Sequence, residues 1–178
     1  MKTTDPQNEL LCVVDDEDNI VGKATRKECH SKKLRHRTAG AFVFNKNWEL
    51  FITQRSDTKD MEPSLWSLSC GGHVEHGDSY EETARKELEE ELEIEGKPIF
   101  IKKFLNNLED ELEMSAQYYV VTDQIPRVNE EEIKQGKFVS FEELEKITRK
   151  DKFSEDIKYQ YPILVKLLKD KSIIPDSI

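Results

Sequence analysis

Cysteine is scarce and unpaired in pattern: Cys12, Cys29 and Cys70 are odd in number and show no CxxC spacing. That argues against a disulfide framework and against a structural zinc site. A reducing compartment fits that count. No run of about 18 apolar residues exists, and Met1 to Pro6 carries neither an apolar run nor a cleavage-like site. The expectation is a soluble, cytoplasmic protein without a membrane span or leader. A basic block is also missing. Against 27 Lys and Arg stand 37 Asp and Glu, a net charge of -10, which leaves no polyanion-binding face for duplex nucleic acid. An acidic chain can still take phosphate compounds when a divalent cation sits between its carboxylates and the ligand oxygens. Repeats, low-complexity tracts and Pro/Ser linkers are absent as well, and 178 residues suit one domain with a core of its own.

What is present is an alternation of short strand and helix patterns. Leu10 to Val14 and Ile20 to Val21, split by the acidic stretch Asp15 to Asn19, predict a hairpin within about 9–24. A short polar helix is expected around Thr25 to Lys32. Ala39 to Asn45 and Glu49 to Gln54 read as a second hairpin across Asn45-Lys46-Asn47, and Leu65 to Cys70 as a strand leading into a Gly71-Gly72 turn. Ser79 to Ile94 has helix chemistry throughout, with a Ser79/Glu82 capping box and apolar Tyr80, Ala84, Leu88 and Leu92 spaced by four. Strands are expected at Ile99 to Leu105, Glu113 to Thr122 and Lys137 to Ser140, and a short helix at Glu142 to Ile147. An amphipathic helix is expected at about 154–169. The order implies an α/β chain with helices packed on a mixed sheet.

The chemistry concentrates between Gly71 and Glu95, where ten acidic residues face only Arg85 and Lys86. On a helix, Glu87, Glu90 and Glu91 lie three and four apart and share a face, where like charges repel by about a few tenths of a kcal/mol per pair. A hard cation such as Mg²⁺ would neutralise that face and leave room for water and phosphate oxygens. A solvated acidic helix face is the alternative.

Gly72, five residues, Asp78, seven residues, and then Lys86-Glu87-Leu88-Glu89-Glu90-Glu91-Leu92-Glu93-Ile94 resemble the signature of the Nudix hydrolases, GX5EX7REUXEEXGU with U aliphatic. The match occupies 72–94, and the element order around it suits a Nudix-type α/β/α sandwich with a central mixed sheet, one domain over 1–178. The resemblance implies a Mg²⁺ cofactor, with Mn²⁺ as substitute, held by Glu87, Glu90, Glu91 and the Gly72 carbonyl. It implies cleavage of a diphosphate linkage in a nucleotide-like or other X-diphosphate by metal-activated water, with no membrane partner. Glu90, Glu91 and Glu113 are the catalytic candidates, and the run Glu130 to Glu132 offers another base. Arg55, Lys59, Arg37 and His73 are candidates for contacting the substrate. A homodimer is the oligomer such a relationship would allow. Three positions depart from the signature: Asp78 stands for Glu, Lys86 for Arg and Glu93 for Gly.

Outside the signature, Asp15 to Gly22, Leu34-Arg35-His36-Arg37, Thr53 to Ser56, Lys59, Pro63 and Leu65-Trp66 are similar to the Nudix branch that contains type 1 isopentenyl diphosphate isomerase. That branch implies a second metal held by histidines and glutamates, for which His36, His73, Glu111 and Glu113 stand at matching positions and His30 one residue away. It also implies a catalytic cysteine. Reading without a gap from Trp66 to Ser79, that cysteine falls on Gly71, and Cys70 is one place early. On a strand a one-residue shift turns the side chain to the opposite face. The hydrolase glutamates are all present, so hydrolysis is the expected reaction, with isomerisation or a catalytically silent binding module as alternatives.

Overall fold

The computed structural model describes residues 5–109 and 111–175. The sheet is built around β3 (His36–Phe44), a strand apolar on both faces because both are covered. On one edge of β3, β8 (Leu112–Val121) runs parallel in unbroken register from His36↔Glu113 to Phe44↔Val121. On the other edge β6 (Cys70–His73) runs antiparallel, from Thr38↔His73 to Ala41↔Cys70. The predicted N-terminal hairpin is formed by β1 (Leu10–Val14) and β2 (Ile20–Thr25), and it joins β3 at Val13↔His36. β7 (Ile99–Asn107) pairs with β8. β4 (Leu50–Arg55) pairs with β5 (Trp66–Ser67) and β9 (Ile133–Val139), completing a nine-stranded mixed sheet among the described residues.

Two local expectations are corrected. The hairpin across residues 45–47 holds only at Phe44↔Leu50, because residues 38–41 of β3 already pair with β6 on that edge and β4 goes on to pair with β9. The expected strand from Leu65 to Cys70 breaks at Ser69, whose φ is +73°. The Ser69 hydroxyl donates to the Phe51 carbonyl and accepts from the Val43 amide, each at 2.8 Å, which compensates the break. Gly71 and Gly72 therefore lie within β6. The turn falls later, at Glu75 to Asp78, where Gly77 takes φ +116°.

α2 (Tyr80–Leu92) starts at Ser79 with both arms of its capping box in place. It lays Ala84, Leu88 and Leu92 on Ala39, Ala41, Cys70 and Ala116 of one sheet face. Full burial of each leucine stabilises by about 1.5–3 kcal/mol. The helix ends at Glu93 in the left-handed conformation, φ +52°, the position where the signature has glycine. The opposite face is covered by α3 (Phe141–Thr148) and α4 (Ile157–Asp170), with Leu144, Leu164 and Leu168 against Phe42, Phe44 and Tyr119. The result is an α/β/α sandwich, with Tyr118 and Tyr119 buried on opposite faces. α1 (Arg26–Ser31), capped by Thr25, links β2 to β3. Among the described residues no helix is long and apolar enough to cross a membrane.

Candidate active site

Strand register assembles the first half of the site. Residues directly opposite one another share a sheet face, so His36↔Glu113 and Thr38↔His73 put His36, His73 and Glu113 on the same face, with Glu111 two residues before Glu113. The bond between Thr38 Oγ1 and Ser115 Oγ at 2.6 Å lies in that row. α1 adds His30. Its ring lies 5.5 Å from that of His36 and 5.2 Å from that of His73, and its Nε2 is 3.2 Å from Glu111. His30, one residue from the expected place, reaches the cluster from α1, and the chain then turns at Lys33, whose φ is +48°.

This cluster suits a cation. His36 Nδ1 donates to the Leu34 carbonyl at 2.8 Å, which leaves Nε2 as an acceptor, buried and without a partner. Two triplets, His30, His36 and His73 and then His73, Glu111 and Glu113, each bring ligand atoms within 4.8 Å of one another. Burial, with Arg26 adding to it, keeps all three imidazoles neutral, His36 down to about 4 and His73 well below the usual range. Burial also raises Glu111 to about 7 and Glu113 to about 8, the latter with Glu111 adding repulsion. One detail works against a metal: Arg26 Nη1 lies 2.9 Å from His73 Nδ1. A guanidinium only donates, so neutral His73 carries its proton on Nε2, and ligation through Nε2 requires Arg26 to withdraw.

The second half lies on the α2 side. Gly72 has no Cβ because Glu87 occupies the space: a Cβ built there collides with the Glu87 carboxylate. Glu91 takes the Gly71 amide. Burial first, then Glu91 and Glu90, push Glu87 well above the usual carboxylate range; burial raises Glu91 to about 7. Glu90 is exposed at the rim. Two departures from the signature meet each other, Lys86 Nζ donating to Asp78 at 2.6 Å.

One cavity of about 330 Å³ is lined by both halves, with Arg26, Arg55, Lys59 and Glu132 also in its wall. Arg55 donates to the Met61 carbonyl at 3.0 Å, and Lys59 is held between Asp5 and Glu132. Arg37 departs from expectation. Its side chain pairs with Asp18 at 2.7 Å and lies over the Tyr80 ring, outside the cavity lining, because it alternates with His36 along β3. Glu113 donates nothing to the α2 half; it accepts from Asn106 at 2.7 Å among the histidines. Asp5 and Arg26 gave no signal in the sequence, since neither belongs to a motif until the fold brings it to the cavity.

Cys70 shares its face with Gly72, opposite Ala41, and its thiol is buried against the core on the α2 side. Burial, then Glu91 and Glu87, push the thiol well above its ordinary range. Gly71 holds the corresponding place in the histidine row, opposite Gly40, and a Cβ there would meet the β3 backbone at 3.0–3.1 Å.

The NUDIX domain family matches residues 34–161. A Nudix hydrolase of Nostoc sp. is 40% identical over 49% of this chain and 52% of its own length. The chain spans about half the length of the curated relatives it first matches. The isopentenyl-diphosphate Delta-isomerase 2 of Photorhabdus laumondii is 31% identical over 75% of this chain and 78% of its own. Among solved structures, DR0079 from Deinococcus radiodurans superposes with a TM-score of 0.73 at 28% identity, covering 84% of this chain and 94% of that one.

Proposed function

The chain belongs to the Nudix family, and from that premise we propose that it is a Mg²⁺-dependent hydrolase that cleaves the diphosphate linkage of a small nucleotide-like or other X-diphosphate substrate. One observation carries the reading: Glu87 and Glu91, both made weaker acids by burial, are packed against the glycine main chain of β6 in the cavity wall. Glu87, Glu91 and the rim residue Glu90 would hold Mg²⁺ or Mn²⁺ together with the Gly72 carbonyl, a hard oxygen set suited to either ion. A cation held by these residues would neutralise charge on the phosphoryl oxygens and activate water.

The chain's own residues supply positioning and proton transfer. Arg55 and Lys59 grip the distal phosphate through charge-assisted hydrogen bonds. Glu132, paired with Lys59 and close enough to raise both Glu87 and Glu91, accepts the proton of the attacking water. Glu113 has the wrong company for that role, since its neighbours are Asn106, Glu111 and His36.

A second reading, isomerisation of an isoprenoid diphosphate, is favoured by the His30, His36, His73, Glu111 and Glu113 cluster. It lacks an acid partner for Glu113, because Gly71 stands in the histidine row and Cys70 on the other face. The test is product release from a panel of diphosphate compounds with Mg²⁺ or Mn²⁺, comparing wild type with Glu91→Gln and following isopentenyl diphosphate for double-bond migration. Metal-dependent cleavage abolished in Glu91→Gln is the expected result. Double-bond migration without cleavage would replace the hydrolase reading with the isomerase.

A further inference from the structure

The segment that precedes β1 enters the cavity. Asp5 and Pro6 line it, and Asp5 is only 5% exposed. Its two carboxylate oxygens are taken separately: Oδ1 accepts from Lys59 Nζ at 2.8 Å and Oδ2 from the Asp60 amide at 2.8 Å. Arg26 Nη2 stands 3.7 Å from Oδ1 and 3.0 Å from Asp60. The segment is tied down by the Arg26 amide on the Glu9 carbonyl and by Gln7 Nε2 on Asp60, each at 2.8 Å.

An ammonium, a main-chain amide and a nearby guanidinium converging on one anion form the donor set that a phosphate group asks for. We propose that Asp5 is an affinity-setting residue that occupies the phosphate subsite of Lys59, and that the substrate's distal phosphate binds by displacing it. The proposal rests on the reading of Lys59 as a phosphate ligand. Electrostatics make the two occupants exclusive. Lys59 is already shared with Glu132, so a phosphate placed beside Asp5 would meet the Asp5 charge and find Lys59 and the Asp60 amide already engaged. Displacement frees both donors and removes one negative charge from the wall. Lys59 also pairs with Glu132, so the exchange is felt at the α2 glutamates.

The experiment titrates inorganic pyrophosphate into the full-length protein by calorimetry, for wild type, Asp5→Asn, Lys59→Gln and the double variant. Asp5→Asn should tighten pyrophosphate binding about tenfold, and it should lower KM for a cleaved diphosphate more than it changes kcat. Unchanged or weaker binding in Asp5→Asn, with Lys59→Gln still weakening it, overturns the proposal and makes Asp5 a prop that positions Lys59. Lys59→Gln without effect in either background overturns the phosphate-subsite reading itself, and the proposal with it. Hydrogen exchange on the wild type needs no variant to fold: pyrophosphate should deprotect the amides of Glu9, Arg26 and Lys27, which hold the segment through the Pro6, Glu9 and Gln7 carbonyls, and unaltered protection there counts against displacement.

Discussion

Glu91 and Glu113 are both carboxylates that burial makes weaker acids, to about 7 and about 8, but they lie in different company. Glu91 belongs to a helical set in which burial, then Glu91 and Glu90, raise Glu87 one turn away, and Lys59, the cation that acts on both, already serves Asp5 and Glu132. Glu113 belongs to a set gathered from α1, β3, β6 and β8, with neutral imidazoles as neighbours and a resident cation, Arg26, against His73. Both sets lie near cations, Lys59 and Arg55 for Glu91 and Arg26 for Glu111 and Glu113; they differ in the donor atoms they offer. The α2 set offers carboxylates alone, the donors a hard cation takes, whereas the other mixes imidazoles with carboxylates, which is why Mg²⁺ and the hydrolytic chemistry are proposed at α2.

That contrast is open to direct attack. Glu91→Gln should lower metal-dependent hydrolysis by about 10³-fold, whereas His73→Gln should leave it within about fivefold. Comparable losses in steady-state kinetics would merge the two regions into one centre.

Gly72→Ala separates them more gently. The added methyl must move Glu87 off β6, so hydrolysis should fall by about 10–100-fold with an unchanged far-ultraviolet spectrum, and the affinity of the histidine cluster for Mn²⁺ should stay the same. Full activity would show that Glu87 is not needed where it lies.

Proton linkage gives a smaller effect with a defined sign. Glu91 and Glu113 keep a proton in the folded protein where the unfolded chain, titrating near 4.5, has released it. Their contribution to stability is present below about 4.5 and lost as pH rises through about 7 and about 8. His36 runs the other way: its depressed pKa contributes stability above 6.5 that is lost as pH falls towards about 4. Between pH 4.5 and 6.5 the two carboxylates lose twice what His36 gains, so metal-free protein should melt highest near pH 5 and fall as pH rises to about 8, and Mg²⁺ should recover most of that loss. A Tm independent of pH across this range would mean that the carboxylates are solvated in the free protein.

The smallest effect lies outside both regions and serves as their control. Glu93→Gly relieves a left-handed residue at the end of α2 and should stabilise by about 0.5–1 kcal/mol, raising Tm by about 1–4 °C without changing kcat. A loss of activity would tie the α2 terminus to the position of Glu91.

Local pattern sufficed for much of this protein. The Ser79/Glu82 cap, the four-residue spacing from Tyr80 to Leu92 and the shared face of Glu87 and Glu91 depend on residues within a few turns of one another, so helix geometry alone places them. The alternation that sends Cys70 away from the histidine row is equally local, a property of any strand once its direction is known. Pairing partners were not legible. That Gly71 and Gly72 lie in a strand rather than a turn follows from the β3 edge that receives them. The neighbours of Arg37, Asp18 and Tyr80, are set by the N-terminal hairpin and α2. The helix, its carboxylate face and the alternation of the strands are readable from residue order because they are properties of short periods. The convergence of His30, His36, His73, Glu111 and Glu113 and the reach of Asp5 to Lys59 across 54 residues come from strand register and loop closure, which are settled by the whole sheet and not by any segment of it.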